Sequence, residues 1–144
     1  DVNVALAEGF FPAPPGDCTS AAAEGLPPEM GAMGIHYINP ALLGLAPPGE
    51  GRVNGMGMNT DFTTPSVLLY EPQPDGSLTL VGVENVIFQA AWKDAGNSSP
   101  PMFEGQMWDA PAATKRMGLS HILTCMSGLC ARTRRACSAR STLP

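Results

Sequence analysis

The stretch VLLYEP-QPDG-SLTLVGVENVIF, residues 67–88, decides the fold. Two runs rich in Val, Leu and Ile flank Pro74-Asp75-Gly76. Proline presets φ, aspartate takes a local turn hydrogen bond and glycine accepts φ > 0, so the segment reads as strand, tight turn, strand. In the second run Leu78, Leu80, Gly82 and Glu84 alternate with Thr79, Val81 and Val83. That alternation is only partly amphipathic, and a strand of this kind is expected to be covered on both faces.

Upstream, MGIHYIN (33–39) places Ile35 and Tyr37 on one face and His36 and Ile38 on the other, and Pro40 ends the run. Downstream, QAAWKDA (89–95) predicts a short helix and MFEGQMW (102–108) a further strand. At the start, Val2, Leu6 and Phe10 recur four apart beside Ala5, as in the end of an amphipathic helix stopped by Gly9. Residues 11–33, rich in Pro, Gly and Ala, read as a long loop, and GLAPPGEGRVNGMGMNTDFTT (44–64) reads as a mobile surface loop. The expected fold class is α+β: a small antiparallel β-sheet, meander or partial barrel, with one or two short helices and long Gly/Pro-rich loops. Residues 1–119 form one domain in this reading, and 120–144 stand apart from it.

The chain has 144 residues, one domain's worth, with only 15% charged side chains and with 16 glycines and 15 prolines that keep every element short. No apolar run is long enough for a membrane-spanning helix. The chain opens on Asp1 without a basic, apolar leader, so either a processed start or a fragment is expected. The formal charge of −5 is divided unevenly. Residues 1–114 hold all 13 acidic side chains and only Arg52 and Lys93 as bases, whereas 115–144 hold six basic side chains and no acid.

Several motifs fail on their chemistry. GMGMN (55–59) lacks the third glycine and the strand–helix setting of a dinucleotide fingerprint. The cysteines at 18, 125, 130 and 137 match no zinc spacing. RTRR (132–135) has no aromatic residue nearby to stack on bases, and the acidic body would repel phosphate, so nucleic acid is not an expected partner. Chemistry is instead concentrated in the strands. His36 is one of two histidines, and Glu71 and Glu84 sit inside apolar runs where a carboxylate has to be paired, hydrogen-bonded or at an edge. The leading expectation is a small-molecule or metal ligand bound on the sheet by His36, Tyr37, Asn39, Glu71 and Glu84, with His36 as the metal ligand. The alternatives are a hydrolase or lyase using His36 as base with Glu71 or Glu84 orienting it, and a structural surface protein without a site. Oligomeric state and the identity of any cofactor stay open.

MGIHYINPALL (33–43) and PSVLLYEPQPDGSLTLVGVE (65–84) resemble a family of uncharacterised exported proteins of bacteria and fungi. That family carries an MG-x-HY-x-NP-x-LL block, a P-x-x-LLYEP…DG-x-L-x-LVGVE hairpin, a short helix containing AW, a PP-x-(L/F)-F-x-GQ strand and a final LHVW strand. The likeness runs from Asp1 to about Leu119. It implies a secreted or extracytoplasmic location and supplies architecture rather than a reaction.

After Leu119 the likeness stops. CMSGLCARTRRACSARSTL (125–143) can be written in codons that, read from the last base of the Thr124 codon, give LHVWAVREDPPGMFGAFNP, the family's ending. Residues from about 120 onward are therefore read as an out-of-frame translation. The expectations that follow are a sheet missing its last strand, a disordered or marginally helical tail, and a Cys18 with no disulfide partner.

Overall fold

The computed structural model describes residues 1–14, 16–20, 22, 28, 31–45, 55–109 and 122–128, the last of these as backbone except at Ile122. Its elements are α1 (Val2–Ala7), β1 (Phe11–Pro12), β2 (Thr19–Ser20), β3 (Ala32–Ile38), β4 (Val67–Pro72), β5 (Leu78–Phe88), α2 (Gln89–Asp94), β6 (Met102–Phe103), β7 (Gln106–Met107) and β8 (Ile122–Gly128). The main sheet runs β1-β3-β4-β5-β8, with β2 also on β3, and every pairing is antiparallel. β3, β4 and β5 are successive neighbours, so the centre is a meander within an α+β fold.

The β4–β5 connection follows its sequence closely. Gly76 takes φ +85° and donates to the Gln73 carbonyl, while the Gln73 amide donates to the Ser77 carbonyl at 2.8 Å. The Asp75 carboxylate accepts from the Ser77 amide at 2.9 Å and from its hydroxyl at 2.6 Å. A register shift between Leu69 and Tyr70 then bulges the ladder, which twists this end of the hairpin.

Both faces of the sheet are covered. One carries Ile38, Val67, Val86, Phe88 and Ile122 beneath Ala13, Leu43 and Ala91. On the other, Tyr37 and Tyr70 pack on Ala5 and Phe10 at one end, and Ile87 packs on Trp108 at the other. Helix α1 is capped by the Asp1 carboxylate, which accepts from the Asn3 amide at 2.8 Å. Val2 and Ala5 pack on the cluster that holds Phe10, as the spacing predicts, whereas Leu6 is left 42% exposed. Six residues make too few turns to choose a face by periodicity alone.

Four expectations are corrected. The segment 11–33 contributes two two-residue strands to the edge of β3, pairings too short to leave a periodic signal. MFEGQMW is a hairpin rather than one strand: Glu104 and Gly105 take φ 48° and 82°, the doubly left-handed turn that reverses antiparallel strands. The sheet does have a last strand. β8 pairs with β5 over seven positions, from Phe88↔Ile122 to Gly82↔Gly128. Ile122-Leu123-Thr124 start a strand on their own chemistry, and a backbone ladder continues regardless of side chain. Finally, Cys18 is disulfide-bonded. The contrary expectation rested on discounting the C-terminal cysteines, and the backbone leading toward them joins the sheet.

The loop 44–64 also departs from expectation where it is described. The Gly57 amide donates to the Leu43 carbonyl at 2.9 Å and its carbonyl accepts from Phe88, so 55–57 lies on the core. A Cβ on Gly55 would collide with the Phe88 ring and the Leu43 carbonyl, and this glycine serves close approach rather than mobility. Residues 46–54, and the tail expectations for 129–144, lie outside the described residues.

Candidate functional site

The register of the meander brings two of the singled-out side chains together. His36 of β3 is opposite Leu69 of β4, which is opposite Gly82 of β5. Two rows further along, Ile38, Val67 and Glu84 line up. Residues in one row, and residues two apart on one strand, share a face. His36 and Glu84 are therefore diagonal neighbours on the same face, separated by β4. Gly82 leaves its row without a side chain beside Glu84. His36 Nε2 and Glu84 Oε2 stand 3.8 Å apart, with the two side chains 2% and 0% exposed.

The separation limits what the pair can be. At 3.8 Å the contact exceeds a direct N–H···O hydrogen bond, whose donor–acceptor distance is about 2.7–3.2 Å. It is an electrostatic contact in a dry setting, or the span of two donors on one ion. A metal–nitrogen bond of about 2.0–2.1 Å and a metal–oxygen bond of about 2.0–2.2 Å place donors no more than ~4.3 Å apart. The pair fits that span. Among the described residues no cluster of three or more His, Cys, Asp or Glu surrounds it, so the pair contributes two donors.

The other three candidates lie elsewhere. Tyr37 alternates onto the opposite face and meets Tyr70 edge-on at 5.0 Å between ring centroids. Asn39 serves the backbone: its Oδ1 accepts from the Ala41 and Leu42 amides at 3.0 and 3.2 Å, and its Nδ2 donates to the Glu8 carbonyl at 3.1 Å. It fastens α1 to the turn after β3. Glu71 is half-buried near the hairpin turn, where its Oε2 accepts from the Gln73 side-chain amide at 3.5 Å.

Two buried polar residues escaped the sequence reading. Asn85 Oδ1 accepts from the Ser66 amide at 3.0 Å, and Ser66 Oγ accepts from the Val86 amide at 3.1 Å, a reciprocal tie between the start of β4 and β5. The asparagine within ENVIF was the available signal. A shallow hollow of about 170 Å³ opens beside α2, lined by Gln89, Trp92, Lys93, Asn97, Ser99 and Pro100 among others. It does not include the His36–Glu84 pair. Compared with protein-family models, curated proteins and solved structures, the chain matches none.

Proposed function

We propose that this protein binds a divalent metal ion between His36 and Glu84, on the core face of its sheet. The observation that carries the reading is the 3.8 Å approach of two buried side chains from strands that are not neighbours. Imidazole and carboxylate suit borderline ions such as zinc. Burying a carboxylate costs several kcal/mol unless a cation or hydrogen-bonding groups offset it, by order of magnitude. A shared ion would add to the contacts the pair already makes.

The hydrolase or lyase reading is the second choice. It draws on the same pair, with Glu84 orienting His36, but both side chains are sealed from solvent. A general base has to reach its substrate. The exported location implied by the family likeness agrees with a disulfide at Cys18, since such bonds persist in oxidising compartments.

The test is metal affinity. In a competition titration with a chromophoric chelator, Zn²⁺ is expected to bind at close to one ion per chain, and His36→Ala is expected to weaken that binding by at least about tenfold. Equal affinity of parent and His36→Ala removes the proposal.

A further inference from the structure

Helix α2 ends in a turn that folds the chain back along its own side. Gly96 takes φ +88°, its amide donates to the Lys93 carbonyl at 2.8 Å, and the Asn97 amide donates to the Trp92 carbonyl at 3.3 Å. These paired bonds make the Schellman motif, which closes a helix and reverses the backbone after it. Two side-chain bonds then fix the return. Asn97 Nδ2 donates to the Trp92 carbonyl at 3.0 Å, and Trp92 Nε1 donates to the Ser99 carbonyl at 2.7 Å. Between the helix and the returning segment lies the hollow of about 170 Å³. Pockets that enclose a drug-sized ligand measure ~300–1,000 Å³. This one admits a single small ring and leaves the rest of a larger molecule outside.

The hydrogen bonds that fix the walls also decide what the hollow offers. The one polar atom of the Trp92 side chain is bound to Ser99, so the indole presents an apolar surface. It packs on the Ile87–Trp108 cluster and also lines the hollow. Gln89 Nε2 donates to the Ile122 carbonyl at 3.1 Å, which leaves Gln89 Oε1 as an acceptor. Asn97 keeps its Oδ1 in the same way. Lys93 and Ser98, both exposed, complete the lining with an ammonium and a hydroxyl. Among the described residues none of these four groups has a partner.

The hydroxyls of a sugar ring each donate and accept a hydrogen bond, and the C–H face of the ring is apolar. An aromatic surface beside amide oxygens, a hydroxyl and an ammonium is the complement of such a ring. We propose that the hollow beside α2 binds one pyranose unit of a neutral saccharide, its ring against the Trp92 indole and its hydroxyls on Gln89, Lys93, Asn97 and Ser98. A carboxylate or phosphate would be drawn to Lys93, the one basic side chain among the described residues. It would also meet two amide oxygens, on a body whose residues 1–114 carry all 13 acids, and both disfavour an anion. The site stands apart from the metal reading, since the hollow shares no residue with the His36–Glu84 pair. Its walls are fixed before a ligand arrives, which lowers the cost of ordering them, while the small contact area keeps affinity on the order of millimolar.

Tryptophan fluorescence reads the site, because Trp92 lines it and Trp108, the second of the chain's two tryptophans, is buried. The probes are methyl glucoside, methyl galactoside, methyl mannoside and N-acetylglucosamine, each titrated into the full chain. At least one is expected to give a saturable change, with a dissociation constant on the order of millimolar that added NaCl leaves unchanged. Ser98→Phe puts a ring into the hollow from an exposed position whose side chain holds no hydrogen bond of the loop. With a circular dichroism spectrum matching the parent, it is expected to weaken binding at least about tenfold. Trp92→Leu, followed by saturation-transfer NMR of the sugar, is expected to abolish binding. No saturable change with any probe, or binding that Ser98→Phe leaves intact, overturns the proposal. Tighter binding of acetate, inorganic phosphate or adenosine, lost in Ser98→Phe, overturns it as well, in favour of an anion or a base.

Discussion

The Nε2 of His36 and the Oε2 of Glu84 face each other at 3.8 Å across the width of an intervening strand, in a part of the sheet that water does not reach. Coulomb attraction in such a setting is strong, but it is set against the cost of desolvating both groups. Breaking the pair by His36→Leu is expected to destabilise the metal-free protein, by up to about 3–5 kcal/mol, because a buried carboxylate then loses a charged neighbour. The double change His36→Leu with Glu84→Leu is expected to restore most of that loss. Urea melts of the four proteins provide the cycle. Strictly additive losses would show that the two side chains do not act as a pair.

Asn39 is the candidate whose role the hydrogen bonds assign to structure. Asn39→Ala removes the acceptor of the Ala41 and Leu42 amides and the donor to the Glu8 carbonyl. A loss of about 1–3 kcal/mol is expected, with metal affinity unchanged. A variant of full stability that binds no metal would instead make Asn39 a ligand.

Tyr70 is expected to contribute to the loss of stability at alkaline pH. Burial, with the charges of Tyr37 and Glu8 behind it, raises its phenol above the ordinary 10.0. The folded state thus prefers the neutral phenol, and the stability this contributes is complete below pH 10.0. It drains away as pH rises from there toward the folded value. Tyr70→Phe is expected to remove that slope from a pH series of melting temperatures. An unchanged slope would place the alkaline titration on another group.

Cys18 separates two readings of the C-terminal segment. It is disulfide-bonded here, and the chain's other cysteines all lie beyond Thr124. A chain continuing as LHVWAV would have Cys18 as its sole cysteine. Non-reducing peptide mapping of protein isolated from its native source is expected to show Cys18 in a bridged peptide, as in this structure. A Cys18 thiol together with a peptide containing LHVWAV would contradict the bridge and favour the frame reading.

The legible parts of the fold were those where local chemistry and tertiary demand coincide. Pro74-Asp75-Gly76 makes its turn from its own atoms, and β4 and β5 follow from it. β1 and β2 were not legible, since a two-residue pairing on β3 carries no period. Gly55 looked like flexibility because its reason lies in Phe88, 33 positions away in the chain. At the site, strand position marked His36 and Glu84 as candidates, but their meeting depends on β4 lying between them and on Gly82 filling no space. Tyr37 shares the His36 strand and was grouped with it, although alternation sends it to the opposite face.

The central claim is that one imidazole and one carboxylate share an ion. X-ray absorption at the zinc edge of Zn²⁺-loaded protein reads this directly. The spectrum is expected to show N/O scatterers at about 2.0–2.2 Å, with the outer-shell imidazole signature of a single histidine, and His36→Ala is expected to erase that signature. A shell of oxygen alone, or an imidazole signature that survives His36→Ala, would contradict the account.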